Sequence, residues 1–384
     1  MNKIIHGDCL DKLKELEDNS IDSIVTDPPY ELGFMGKSWD NTGIANNKEM
    51  WAECLRVLKP GGHLLAFSGT RTYHRMASAI EDAGFEVRDM VEWVYGSGFP
   101  KSLNIGKKVD ELQGNEREQL GDIKPAGFKT AASGYTDNKA WSGKVTKGTS
   151  EWEGWGTALK PAHEPICMAR KPLSEKTVAE NCLKWGTGGI NIDESRVKIP
   201  EGDNSGWSGS NAVPPSGSAT DAFGVHKFKE VIRDKPELGR FPANIIHDGS
   251  DEVKECFPNE SERFFKSIIY QAKASKSERN RGCDGLPLKE KVFNGKSDTP
   301  SVDMKDVEKR FTTQPKQNNH PTVKPIALME YLIKMVTPKG GIVLDPFAGS
   351  GTTGVACKNT NRNYILIEKE PEYIEIIKSR LNAS

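Results

Sequence analysis

A doubly wound, mostly parallel α/β sheet, assembled from both ends of the chain, is the fold this sequence predicts. Three observations predict it. Residues 2–95 alternate strand-like and helix-like apolar patterns, residues 96–318 hold no sustained period, and the alternation resumes at 320.

The elements follow in order. KIIHGD is a short strand, and Leu10, Leu13 and Leu16 then recur at helical spacing. SIDSIVTD is a second strand. Met50, Cys54, Leu55 and Leu58 share one face of a helix that KPGG is expected to stop. HLLAFSG is a third strand, Met76, Ile80 and Ala83 mark the next helix, and VRDMVEWVY is another strand. Residues 96–160 are rich in Gly, Lys, Ser and Trp, and EPICMAR (164–170) returns one strand to the sheet. From about 172 to 318 the pattern is irregular, and residues 202–224 have the composition of a loop. Pro325 then opens a helix carrying Leu328, Tyr331, Leu332 and Met335 as a stripe. GGIVLD is a buried strand, GTTGVACKN begins a helix, NYILIE is a strand and PEYIEIIKSRL a final helix. One domain built from both termini accounts for this better than two unrelated ones. The expected division is 1–172, a catalytic first part; 173–318, an insert; and 319–384, the catalytic second part.

The bulk numbers narrow the class. A chain of 384 residues with 36% hydrophobic content supports a real core, while 37 Gly and 22 Pro promise many loops. The net charge of −1 means that any basic surface must be local. Seven Cys are scattered without a C-x-x-C pair, which fits free thiols in a reducing compartment and offers no metal site. With no apolar run long enough for a membrane span, the expectation is a soluble cytoplasmic protein.

Chemistry concentrates at predicted strand ends. In LDPFAGSGTTG (344–354) a strand ends in Asp345, a glycine-rich bend follows and a helix begins. Gly349 and Gly351 permit positive φ and close backbone approach, and the helix start offers free N–H groups to an anion. The pattern is neither a Walker loop nor the full dinucleotide fingerprint. The next strand ends in Glu368, where an acid in a doubly wound sheet binds ribose hydroxyls. Asp8 is a third strand-end acid. Each feature alone also reads as an ordinary turn or helix cap. Glycine loop and acid together specify a nucleoside-bearing cofactor.

Asp27-Pro28-Pro29-Tyr30 also follows a strand. The two prolines lack N–H groups and fix φ, so this backbone is stiff and offers only carbonyls. Asp27 and the Pro28 carbonyl become two acceptors for one –NH2 group, and Tyr30 supplies a flat face for a planar ring. Such a clamp suits the exocyclic amine of a base removed from its stack.

DPPY with DPFAGSGTT resembles the amino-directed, S-adenosylmethionine-dependent DNA methyltransferases of the β-type permutation. LKPGG (58–62), KPAHEPICMARKP (160–172) and NHPTVKP (319–325) support the resemblance, which covers about 1–100, 160–172 and 319–384. It implies a circularly permuted, Rossmann-like methyltransferase fold with an inserted target-recognition region. Phe347 would pack against the cofactor adenine, Glu368 would hold its ribose and Asp8 would lie near the adenine. Asp345 and the loop residues Pro346, Ala348, Gly349, Ser350 and Gly351 would embrace the methionine part, with Lys324 and Thr352 candidates for its carboxylate. Asp at the head of the motif favours adenine N6 over cytosine N4 as the target. A non-catalytic DNA-binding protein on this scaffold, or a methyltransferase for RNA or small molecules, is the alternative. The implied partner is double-stranded DNA; a homodimer and a restriction endonuclease partner are left open.

Holding a duplex requires positive charge. Residues 263–291 carry eight Lys/Arg against three Asp/Glu, interleaved with Phe264, Phe265 and Tyr270. Lys273, Lys276, Arg279 and Arg281 are the candidates for phosphate contact, and residues 96–108 form a second candidate surface.

Overall fold

The computed structural model describes residues 2–32, 40–96, 98, 102–122, 144–199, 239–268, 276–288 and 317–383. Its strands are β1 (Lys3–His6), β2 (Ile21–Thr26), β3 (Leu58–Phe67), β4 (Glu86–Val94), β5 (Glu118–Asp122), β6 (Lys144–Lys147), β7 (His163–Arg170), β8 (Ile245–His247), β9 (Lys266–Ser267), β10 (Ile342–Asp345) and β11 (Asn363–Glu368). Nine of them form one sheet in the order β1-β11-β10-β2-β3-β7-β4-β8-β9, and β5 and β6 make a separate hairpin.

The C-terminal strands β11 and β10 lie between β1 and β2, all parallel, so the two ends of the chain build one sheet. Alternation along each strand divides the apolar residues between two cores. Val25, Leu65, Phe67 and Leu366 face the helix Ile326–Val336 and its neighbours on one side. Ile24, Leu64, Ala66, Ile365 and Ile367 face Met50, Trp51, Cys54 and Ile80 on the other. The expected stripe of Leu328, Tyr331, Leu332 and Met335 is buried in the first core.

Three elements differ from expectation. KPGG does not merely stop a helix: the helix Lys48–Val57 passes directly into β3, which starts at Leu58. Gly61 takes φ +77, its N–H donates to the Lys171 carbonyl, and the Lys171 N–H returns a bond to Gly62. This irregular strand start therefore pairs with the end of β7. EPICMAR forms β7, antiparallel to both β3 and β4 at the centre of the sheet. Finally, β8 and β9 from the expected insert extend the same sheet beside β4. The helix Val178–Trp185 packs on β3, where Asn181 Nδ2 donates to the Pro60 carbonyl. The Asn191 N–H donates to the Met335 carbonyl. Described parts of 173–318 thus pack on the same sheet, with Ile246 and Ile268 buried in its first core.

No described helix is long and apolar enough to cross a membrane. All seven cysteines are unpaired.

Candidate active site

A parallel sheet presents the carboxyl ends of its strands along one edge. β2 and β10 are neighbours, so Asp27, just past β2, and the loop after β10 meet there. Because β7 runs antiparallel, it enters at this same edge, and its first residues, His163 and Glu164, join the site. One cavity of about 1440 Å³ collects Asp8, Asp27, Pro28, Pro29, Tyr30, Lys324, Asp345, Pro346, Phe347, Ala348, Gly349, Ser350, Thr352 and Glu368. Gly351 caps the helix Thr352–Asn359 just behind this lining. A typical pocket for one small ligand is about 300–1,000 Å³, so this volume has room for a nucleoside and a second planar ring.

The glycine loop is held from below. Gly349 and Gly351 take φ +52 and +77, as the bend requires. A Cβ at Gly349 would lie 2.7 Å from His320 Nε2, so a larger residue there would meet the His320 ring as well as strained backbone. Arg380, buried on the helix Pro371–Asn382, donates from Nη1 to the Ser350 carbonyl, Ser350 Oγ and Thr352 Oγ1. The Thr352 oxygen thus accepts from this arginine, while Thr352 keeps its place in the cavity lining.

Asp345 is also more engaged than expected. Its oxygens accept from Thr26 Oγ1 at 2.7 Å, Thr353 Oγ1 at 2.5 Å and the Phe347 N–H at 3.1 Å. It ties the tip of β2 to the tip of β10. Burial pushes its carboxyl up to about 6 despite those donors. Asp8 caps the short helix Cys9–Leu13 through the Leu10 N–H and pairs with Lys369 at 3.2 Å.

Glu368 suits a hydroxyl donor. Its oxygens accept from the backbone N–H of Gly349 and of Glu370, both at 2.8 Å, which fixes the carboxylate against the loop. Burial pushes it up to about 7, against the pull of those N–H groups. A ribose hydroxyl donated to it would stabilise the ionised form. Phe347, half-buried beside it, offers the ring face expected for a base.

The second half of the cavity is the clamp. The Tyr30 hydroxyl donates to Glu164 Oε2 at 2.8 Å, and Thr72 Oγ1 fixes the Tyr30 carbonyl at 2.7 Å. Burial, and then the carboxylates of Asp27 and Glu164, push the Tyr30 phenol well above its ordinary value. Lys324 was expected at a ligand carboxylate. Its ammonium instead lies 2.6 Å from Asp27 Oδ2, 3.1 Å from the Tyr30 hydroxyl and 3.3 Å from Glu164 Oε2. Asp27 Oδ1 is buried without a hydrogen-bond partner among the described residues. Nothing in the sequence alone distinguishes Glu164 from other strand-end acids. The readable signal was an acid heading a strand whose polarity only the fold reveals.

The basic segment is only partly a surface. Lys273 and Tyr270 lie outside the described residues, and Lys276 begins the helix Lys276–Asn280. Arg279 is 5% exposed and its Nε donates to the Asn318 carbonyl, which corrects its assignment as a phosphate contact. Its guanidinium is used to fasten residues 276–280 to the segment leading to Lys324. Arg281 is exposed. The guanidinium groups of Arg240 and Arg263 lie 4.7 and 4.9 Å from the Phe264 ring centre, Phe265 packs on Phe257, and Lys266 covers Tyr331. These aromatics serve packing within the protein. In the second candidate surface, Lys107 is exposed on the helix Ile105–Gln113.

Known proteins share this sequence pattern. Residues 21–379 match the family model for N6/N4 methyltransferases, described as DNA methylase. The chain is 24% identical over 387 residues to the type II methyltransferase M.HpaI of Haemophilus parainfluenzae, across 99% of this chain and 74% of that one. It is 23% identical over 421 residues to the type II methyltransferase M.HindIII of Haemophilus influenzae, across 98% and 94%. Among solved structures, the PvuII DNA methyltransferase (cytosine-N4-specific) aligns with 99% of this chain and 86% of its own, at 15% identity and a TM-score of 0.48.

Proposed function

Because the chain belongs to the N6/N4 DNA methylase family, we propose that it transfers a methyl group from S-adenosylmethionine to the N6 amine of adenine in duplex DNA. The observation that carries this reading is the buried, unpartnered Oδ1 of Asp27, on the wall of the same cavity as the glycine loop and Glu368. A carboxylate oxygen left without a donor in a buried site is costly unless a ligand N–H completes it.

The roles follow from the chemistry. An aromatic amine is a poor nucleophile because its lone pair is delocalised into the ring. Asp27 and the Pro28 carbonyl accept its N–H groups and favour a more tetrahedral nitrogen, while Pro29 keeps the turn stiff and Tyr30 supports the ring. Phe347 and Glu368 hold adenine and ribose of the cofactor, which when bound supplies an electrophilic sulfonium methyl. Positioning for direct in-line attack provides much of the acceleration, and Asp27 takes up the developing positive charge. The target base must leave its stack to reach this depth. Asp at the head of the motif supports adenine as that base. Target recognition is assigned to the region 173–318.

The test is digestion to nucleosides of mixed-sequence duplex DNA, incubated with enzyme and methyl-labelled cofactor, followed by mass spectrometry. Label in N6-methyldeoxyadenosine is expected; label in N4-methyldeoxycytidine would replace adenine by cytosine with the same clamp.

Cofactor binding should depend on pH through Glu368. Its carboxyl is raised to about 7 in the free protein, and a donated ribose hydroxyl lowers it. Binding therefore releases protons below about pH 7, and affinity falls as pH drops through that value. Between pH 8 and pH 6 the Kd is expected to rise about fivefold to tenfold more in the wild type than in Glu368→Gln. Calorimetric titration at both pH values checks this, and parallel profiles would contradict it.

The remaining basic candidates have a separate signature. Replacing Lys273, Lys276 and Arg281 with neutral residues should weaken binding to cognate and scrambled duplexes alike. The slope of log K against log[salt] should shrink by about 0.9 for each lost phosphate contact. A salt series on both duplexes decides it, since an unaltered slope would leave this a solvated surface.

A further inference from the structure

The clamp contains a cation that the chemistry above does not use. We propose that Lys324 is a positioning residue for methyl transfer: it grips Asp27 by Oδ2, braced by Glu164, and so presents Oδ1 to the incoming amine. This rests on the amino-methyltransferase reading and adds a role to the same site.

The geometry gives the ammonium three acceptors. Asp27 Oδ2 lies at 2.6 Å, the Tyr30 hydroxyl at 3.1 Å and Glu164 Oε2 at 3.3 Å. Two of its three N–H donors are committed to Asp27 and Tyr30, and the Glu164 carboxylate lies within ion-pair distance of the same ammonium. The other Asp27 oxygen is buried without a partner among the described residues. A carboxylate free to rotate could offer either oxygen; one held at Oδ2 by a buried cation offers Oδ1.

The cation is itself held. Its Nζ lies 4.7 Å from the Phe67 ring centre and 5.3 Å from that of Tyr30. Pro325 follows directly, and the helix Ile326–Val336 then buries its stripe in the core. The first N–H of that helix donates to Glu278 Oε1 at 2.8 Å. Lys324 therefore projects from a fixed point between a proline and a capped helix.

The charges around it come from every side of the clamp. Asp27 and Tyr30 come from the end of β2, Glu164 from β7 and Asp345 from the end of β10, while β3 contributes the uncharged Phe67. Burial works against the ammonium, but Asp27 and Glu164 more than offset it and hold its pKa above the ordinary lysine value. Asp27, Glu164 and Lys324 together carry one net negative charge, matched to the one positive charge that develops on the attacked nitrogen. Without Lys324, Asp27 and Glu164 would face each other across the Tyr30 hydroxyl with no cation between them.

The experiment measures kcat, KM for duplex and cofactor Kd for full-length Lys324→Met, Lys324→Arg and Glu164→Gln, with thermal melts to confirm folding. Lys324→Met is expected to lose about 10²-fold in kcat, while cofactor Kd and duplex KM stay within about twofold. Lys324→Arg, which still donates to a carboxylate, should recover at least about tenfold of that loss. Glu164→Gln keeps an acceptor for the Tyr30 hydroxyl and should lose only about tenfold in kcat, a readout that survives if Lys324→Met does not fold. A kcat for Lys324→Met near wild type would overturn the proposal. So would a fall in cofactor affinity large enough to explain the lost rate, which would return Lys324 to the cofactor carboxylate. The wild-type product separates this result from the underlying reading. Label on cytosine N4 would change the base but leave the Lys324 test standing, whereas label on a ring carbon would overturn both.

Discussion

Asp27→Ala is expected to lower methyl transfer by about 10³-fold or more while leaving cofactor affinity within about twofold. The loss has two sources. The amine loses the acceptor that makes its nitrogen nucleophilic, and Lys324 loses the closest of its partners, at 2.6 Å. Removing a single preorganised group of this kind commonly costs about 10²–10³-fold. Here the same change also releases the ammonium, which can swing towards Glu164 and intrude on the space of the base. Cofactor affinity is spared because Phe347 and Glu368 belong to the loop after β10 and the end of β11. Asp27→Asn separates charge from geometry. It keeps an acceptor oxygen but cannot balance positive charge, and should fall between wild type and alanine. Turnover near wild type in purified Asp27→Ala would remove Asp27 from the chemistry.

The second large effect is on the cofactor half of the cavity. Glu368→Ala should weaken cofactor binding by about 2–3 kcal/mol, and Phe347→Ala by about 1–2 kcal/mol, with kcat at saturating cofactor much less affected. Glu368 carries the larger loss because it does two things. It accepts from the ligand, and it also holds the N–H groups of Gly349 and Glu370 at 2.8 Å. Without it the loop loses an internal anchor, and buried N–H groups lose an acceptor. Phe347→Ala removes only apolar contact. Calorimetric titration measures both, and unchanged affinity in both variants would place the cofactor elsewhere.

Strand ends proved the most legible part of the sequence. The acids at 27, 345 and 368 follow short β-branched runs, and a parallel sheet necessarily gathers such ends on one edge. That both termini build one sheet followed from the same rhythm at the two ends, while the order β1-β11-β10-β2 came only with the fold. Strand polarity was not legible. The run EPICMAR reads the same in either direction, yet only an antiparallel β7 brings Glu164 to the carboxyl edge. The use of a cation was equally hidden. Lys324 in VKP looks like any lysine before a helix, and its reach to Asp27 depends on a contact nearly 300 residues away along the chain. Arg279 shows the converse error. Local charge density marked it as surface, but the Asn318 carbonyl gives its buried guanidinium an acceptor. Composition reports how many charges a segment has, and only packing decides which of them water sees.

If Asp27 directs a methyl group from the cofactor onto an exocyclic amine of DNA, the product must depend on it. The most direct measurement is nucleoside analysis after incubation with methyl-labelled cofactor, run side by side for wild type and for Asp27→Ala that has been shown to bind the cofactor. Label in N6-methyldeoxyadenosine is expected from the wild type and essentially none from the variant. Equal labelling by the two proteins, or label on a ring carbon instead of an amine, would contradict it.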